Sequence, residues 1–228
     1  MVRCYEALSY FTVLKRREKG NYFMGAYDNL SDVQLDVMRE IGNIGAGNAC
    51  TALSGLIGTP IDMSVPRVQL MGVDSTSEYL GGGDAEVLGI RIDVKADLTG
   101  MMFHIVNKRF AERLISTFYP KTLNSIADID EMDMSVISEM GNITSGAYAN
   151  ALATLSGYVV DIGTPTLGGK SVSEILRIPI ETFGSVGDKI LVVDEQFIID
   201  SEKLTSNMIL VLEGDSLNKL FDKLGVQR

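Results

Sequence analysis

Asp36, Glu40 and Asn43 follow one another at spacings of four and three, which on a helix stacks them on one face. Gly47 extends that stripe. Ser135, Glu139, Asn142 and Gly146 repeat the same spacing further along the chain. A carboxylate and an amide, with no nucleophile beside them, cannot easily cut a stable bond. They can accelerate a reaction whose difficult chemistry is already set up. An amide accepts one hydrogen bond and donates another, so it can hold a water in line for attack. A Gln does this for phosphoryl transfer in GTPases. The neighbouring carboxylate can anchor a Lys on a partner. Glu and Asn are also common on solvated helix faces, and one copy would carry little weight. Here the pair recurs, and in each copy 22 residues separate the Asn from a Pro, Pro66 or Pro165.

Other chemistries find little support. The chain has 228 residues, 46% hydrophobic and 22% charged, a globular composition long enough to fold without disulfides or metal. Its single His, His104, lies in Met101-Met102-Phe103-His104-Ile105-Val106, which reads as a half-buried strand and makes it a structural histidine rather than a base. Two Cys, Cys4 and Cys50, cannot build a disulfide framework or a four-ligand zinc site and read as reduced thiols of a cytoplasmic protein. A metal-dependent hydrolase built on Asp36 and Glu40 lacks His or further clustered carboxylates. With 20 basic residues against 30 acidic and a net charge of −10, nucleic acid is a poor partner. The one basic cluster, Lys15-Arg16-Arg17, is interrupted by Glu18. No stretch of 18 apolar residues is present to span a membrane.

The elements that must position the columns come from an internal repeat. Glu40-Ile-Gly-Asn-Ile-Gly-Ala-Gly-Asn-Ala49 matches Glu139-Met-Gly-Asn-Ile-Thr-Ser-Gly-Ala-Tyr148 at an offset of 99. That period is too long for a solenoid and implies two copies of one half-domain, about 30–125 and 126–228. The first half reads as a helix from Ser31 to Ile57 capped by Ser31 or Asp32, a strand near Ile61–Met71 with Pro66 inside it, strands Asp84–Ala96 and Leu98–Val106, and a helix Asn107–Tyr119. The second reads as a helix Met132–Ser156, a strand Val159–Thr166, a short helical turn Val172–Leu176, strands Lys189–Ile199 and Leu204–Glu213, and a helix Ser216–Leu224. The expected fold class is α+β: a sheet of about six strands with long helices packed on it, the halves related by a pseudo-twofold axis.

Opposite the polar columns, Leu35, Met38, Gly42, Gly45, Ala49, Ala52 and Leu56 are expected to face the sheet, with Met134, Ile137, Met140, Thr144, Tyr148 and Leu155 as their counterparts. Gly42, Gly45 and Gly47 in a helix interior each cost up to ~1 kcal/mol against Ala. Two readings stand together: close packing on one face, and on the other a flat surface beside Asn43 against which another protein's active site can press. Residues 1–23 place apolar residues before Lys15-Arg16-Arg17, the reverse of a signal peptide. They read as a peripheral extension, a short docking helix, or an upstream artefact with Met24 as the working start, ahead of a 24–228 domain.

The pattern Asp/Ser-x3-Glu-x2-Asn-x22-Pro, present twice, resembles the signature of the CheC family of bacterial chemotaxis phosphatases, which includes CheX and FliY. The resemblance extends from about residue 30 to the end. Two intact motifs set the chain nearer CheC than CheX, and no FliN-like domain of the FliY kind is expected after the second half. The resemblance implies hydrolysis of the aspartyl-phosphate on the response regulator CheY. It implies catalytic roles for Asn43 and Asn142, which would position the attacking water, and for Glu40 and Glu139, which would pair with the regulator's Lys. Asp36, Ser135, Pro66 and Pro165 would be supporting residues, the prolines shaping the strand beside the helix. No cofactor is expected on this chain; Mg²⁺ would sit on the regulator. The family also implies the receptor deamidase CheD as a partner, with Val172–Leu176 one candidate surface. The alternative is a non-catalytic binding module that sequesters CheD or acts at the flagellar switch.

Overall fold

The computed structural model describes residues 25–184 and 189–226. The extension expected over 1–23, with Cys4 and the basic cluster, lies outside them. Both halves begin with a 26-residue helix, α1 (Asp32–Ile57) and α4 (Glu131–Ser156). Each start is satisfied by a capping box. Ser31 accepts from the Gln34 amide while Gln34 accepts from the Ser31 amide at 2.9 Å. Asp130 accepts from the amides of Met132 and Asp133, and Asp133 accepts from the Asp130 amide at 2.9 Å. Each helix stops at a glycine in the left-handed region, Gly58 at φ 66° and Gly157 at φ 69°.

Each long helix leads into a strand that its proline divides. β1 (Ile61–Met63) and β2 (Arg67–Gly72) flank Pro66, and β5 (Val160–Ile162) and β6 (Thr166–Ser171) flank Pro165. Pro66 divides the strand expected at Ile61–Met71 in two, because Pro cannot donate to the ladder, and β6 runs past the end of the strand expected at Val159–Thr166, so six expected strands become eight. The others are the long hairpins β3 (Glu86–Ala96) with β4 (Gly100–Val106), and β7 (Lys189–Ile199) with β8 (Glu202–Leu212). The β7–β8 turn uses Asp200 at φ 49° and Ser201 at φ 69°, the two positive values a tight hairpin requires. Shorter helices complete the halves: α2 (Val73–Tyr79), α3 (Lys108–Ser116), α5 (Val172–Phe183) and α6 (Gly214–Lys223).

The strands form one antiparallel sheet in the order β1-β7-β8-β4-β3-β5, with β2 also on β7 and β6 also on β3. The halves exchange their edges. β1 and β2 of the first half pair with β7 of the second, while β5 and β6 pair with β3 of the first. β4 and β8 meet on the pseudo-twofold axis. β4 is buried along its whole length, not on one face as its sequence suggested, because it is central in a sheet covered on both sides.

α1 and α4 lie side by side on one face of the sheet, and the glycines explain how closely. A Cβ on Gly45 would stand 2.2 Å from the Tyr148 ring, one on Gly42 2.4 Å from Val68, and one on Gly141 3.0 Å from Ile90. A Cβ on Gly47 would have no described neighbour within 4 Å. Close packing thus accounts for Gly42 and Gly45, and open surface for Gly47. Of the residues expected to face the sheet from α1, Met38, Gly42, Gly45 and Ala49 are buried, joined by Gln34, Ile41 and Leu53, whereas Ala52 is exposed and Leu35 and Leu56 are half-buried. The turn expected at Val172–Leu176 is the start of the 12-residue α5, on the opposite face of the sheet. Its Val172, Ile175 and Leu176 are buried against the core that holds Phe103, Val192 and Ile209, so these three side chains offer no docking surface for CheD or any other partner.

Gly45→Ala is expected to destabilise the protein by about 1–3 kcal/mol through overpacking against Tyr148. Gly47→Ala is expected to be neutral or to stabilise by up to ~1 kcal/mol through helix propensity. Urea midpoints of the two variants check both.

Candidate functional site

The structure brings each Glu and Asn to the surface of its helix. Asp36, Glu40 and Asn43 are exposed on α1; Ser135 and Glu139 are exposed and Asn142 half-buried on α4. On α1 the Asp36 carboxylate accepts from the Arg39 guanidinium at 2.6 Å. On α4, Ser135 donates back to the Glu131 carbonyl at 2.9 Å, and Ser138 stands where α1 has Arg39. Ser135, Ser138, Glu139 and Asn142 form one wall of an open cleft of about 420 Å³, and Ile162, Gly163, Thr164 and Pro165 form the other. Pro165 therefore breaks the strand and also lines the cleft. The sequence reading missed Ser138, Gly163 and Thr164. Their signal was the turn chemistry of Gly163-Thr164-Pro165 between two strands. At the same register of the first half, Ser64 hydrogen-bonds Gln196 at 3.2 Å and Val65 is strongly exposed.

Two buried polar groups hold α4 to the sheet beneath the site. His104 of β4 places Nε2 at 2.8 Å from Ser145 Oγ and 2.9 Å from Thr144 Oγ1, both on the turn after Asn142. Burial lowers its pKa to about 4, so it is a neutral structural imidazole, as its sequence setting suggested. Tyr148 passes over Gly45 and donates to Glu195 Oε1 of β7 at 2.6 Å. Burial raises Glu195 to about 7, against a smaller opposing effect of the Tyr148 hydrogen bond. At the start of α4, Asp133 is tied to Lys121 at 2.6 Å and to the Tyr119 hydroxyl at 2.6 Å. Burial pushes its pKa up, but these bonds outweigh that and hold it below the usual carboxylate range.

Cys50 is a buried thiol that donates to the Ile61 carbonyl at 3.2 Å. Among the described residues no three His, Cys, Asp or Glu side chains gather to hold a metal ion, and no helix is long and apolar enough to cross a membrane.

Two interlocked α+β halves, each presenting a Glu/Asn column on a surface helix, define a duplicated fold with one candidate site per half. The chain belongs to the CheC-like family, which matches residues 33–70 and 132–168 and so both columns. It is 32% identical over 206 residues to the Bacillus subtilis protein named CheY-P phosphatase CheC, across 89% of this chain and 99% of that one. It is 26% identical over 149 residues to the B. subtilis flagellar motor switch phosphatase FliY, across 64% of this chain and 38% of that one. The crystal structure of Thermotoga maritima FliY shares the fold with a TM-score of 0.63 at 22% identity, over 87% of this chain and 99% of that one. The FliM middle domain from H. pylori also shares it, with a TM-score of 0.61 at 13% identity, over 85% and 99%.

The two buried titrations act on stability in opposite directions. Glu195 stays protonated in the fold up to about 7 but ionises near 4.5 when unfolded, so it withdraws stability as pH rises across that window. His104 stays neutral down to about 4 but charges near 6.5 when unfolded, so its contribution is lost as pH falls from 6.5 to 4. Glu195→Gln is expected to leave a stability that rises with pH to about 6.5 and exceeds wild type at pH 8. Chemical denaturation from pH 4 to 8 checks the sign.

Proposed function

We propose that this chain hydrolyses the aspartyl-phosphate of the chemotaxis response regulator CheY. Asn43 and Asn142 each hold a water in line with the phosphorus, accepting one of its hydrogen bonds and donating another. The water oxygen bonds to phosphorus as the acyl P–O bond breaks, which releases inorganic phosphate and returns the regulator's Asp carboxylate. Glu40 and Glu139 pair with the regulator's Lys and so set the angle at which the Asn enters. Mg²⁺ in this scheme is held by the regulator's acidic pocket. Asp36 and Ser135 support the contact; the Asp36–Arg39 pair keeps the α1 column charged at its rim, where α4 carries hydroxyls. CheD belongs to the proposal as a regulatory partner, and its surface would lie away from the buried inner face of α5.

The observation that carries the reading is the duplication of the column in space. Glu and Asn are surface residues on both helices, and on α4 the Asn shares an open cleft with the Pro of the same motif. The likeness to the B. subtilis CheY-P phosphatase over nearly the whole of both chains supports the same substrate.

Replacement of Asn43 or Asn142 alone by Ala is expected to leave the other site working. The double variant should return phosphoryl-regulator decay to its intrinsic rate, with thermal melts unchanged because Ala is a good helix former. Loss of one such group is worth ~10²–10⁴-fold where the uncatalysed reaction is slow, and the labile acyl phosphate makes the ratio smaller. A double variant as fast as wild type would remove both amides from the mechanism.

A further inference from the structure

Each polar column begins with an exposed apolar side chain that the fold does not use. Val33 is 60% exposed and Met132 64% exposed, and neither belongs to the core. They occupy the same place in the repeat, since 132 lies 99 residues after 33, the offset that relates Glu40 to Glu139. Among the described residues five other large apolar side chains are exposed: Val65, Tyr79, Phe118, Val159 and Leu167. None of these five is matched at that offset by another exposed large apolar side chain. Single exposed apolar residues are ordinary on protein surfaces. An equivalent pair at the two sites is not explained by that, because neighbouring surface positions of the repeat differ in character: Asp36 corresponds to Ser135, and Arg39 to Ser138.

Helix capping does not explain the pair either. Val33 and Met132 are the second residue of their helices, after the caps Ser31 and Asp130. The apolar staple at a helix start joins the residue before the cap to the fourth helical residue. On α4 those are Ile129 and Met134, both packed against the core. Met132 is left free, and so is Val33.

Their direction is that of the catalytic columns. Val33, Asp36, Glu40 and Asn43 fall within one stripe, and Met132, Ser135, Glu139 and Asn142 in the same stripe of α4. Ten residues of helix put the apolar group about 15 Å from the Asn along the axis. A standard interface covers about 800 Å² on each partner, a patch roughly 16 Å in radius. A protein whose interface is centred on Asn43 or Asn142 therefore reaches the apolar group at its edge in the same docking event.

We propose that Val33 and Met132 are the apolar anchors of the two sites, each entering an apolar depression on the phosphorylated receiver domain about 15 Å from its acyl phosphate. This rests on the function proposed above and assigns the two residues to affinity, with chemistry left to the Asn. The column then has an order: an apolar anchor, a polar rim, a carboxylate for the partner's Lys, and the amide at the phosphorus. Apolar anchors of this kind lower KM by excluding water and leave kcat alone, because they hold the ground state and the transition state equally.

The test measures decay of the cognate receiver protein, phosphorylated with acetyl phosphate in Mg²⁺, against its concentration. Val33→Ser is made in the Asn142→Ala background and Met132→Ser in the Asn43→Ala background, so that each site is read alone. KM is expected to rise about 5- to 20-fold at each site with kcat unchanged, a size set by the apolar area lost. Val33→Leu and Met132→Leu should restore it. Val159→Ser, an equally exposed change elsewhere, should leave KM where it was. An unchanged KM in the Ser variants, or an equal rise with Val159→Ser, overturns the anchor while the catalytic reading stands. A fall in kcat at constant KM also overturns it. If the Asn43→Ala, Asn142→Ala double variant still accelerates decay, the failure lies in the catalytic reading, and loss of receiver binding by Val33→Ser, Met132→Ser in calorimetry then decides the anchor by itself.

Discussion

The contact on which the rest depends is the one between the two long helices. Tyr148 lies over Gly45, and its hydroxyl reaches Glu195 in the sheet below. No side chain larger than hydrogen fits at Gly45 without movement of the ring. The approach of α1 to α4 is thereby set, and so is the rotation of each helix about its axis. Rotation matters because the column is narrow. A turn of either helix by one residue's worth of angle would carry Glu40 or Glu139 from solvent toward the core.

The sheet makes that arrangement symmetric. The edge strands change halves, so β1 and β2 need β7 and β5 and β6 need β3 before either Pro corner can form. The corner bearing Pro165 supplies one wall of the cleft next to Asn142. A site on one half is therefore completed by a strand whose pairing partner comes from the other half. Duplication without exchange would leave two helices with polar faces but no walls beside them.

The symmetry is broken underneath. Tyr148 occupies the place of Ala49, and the His104 imidazole is held by Thr144 and Ser145, where α1 has Gly45 and Ala46. The side chains on α4 thus tie helix to sheet, Thr144 and Ser145 to His104 of the first half and Tyr148 to Glu195 of the second, and α1 contributes the small residues that make room. At the surface the difference has another form: an Asp36–Arg39 ion pair on α1, hydroxyls around an open cleft on α4. An exposed pair of this kind adds little to stability, so its effect falls on the partner's approach.

The sequence by itself determined the columns, the repeat and the start of the first long helix. Spacings of four and three, a constant offset of 99, and Ser31 next to apolar periodicity are local facts, decided within a few turns of chain. The tertiary structure decided the rest. Which strands pair across the halves depends on contacts far apart in sequence, as in Ala96 with Val160 and Ile61 with Ile199. The middle of the buried stripe of α1, Met38, Gly42, Gly45 and Ala49, is legible in the sequence, but its C-terminal part is not, Ala52 being exposed, because the small residues along this helix leave its apolar periodicity weak. His104 read as half-buried because alternation along a strand says nothing of what covers its second face. Pro165 read as a shaper of backbone alone, since its place across the cleft from Asn142 arises only when β5 and β6 bend back along α4. Identity and spacing are written in the chain; which groups meet, and which remain in water, is fixed by packing.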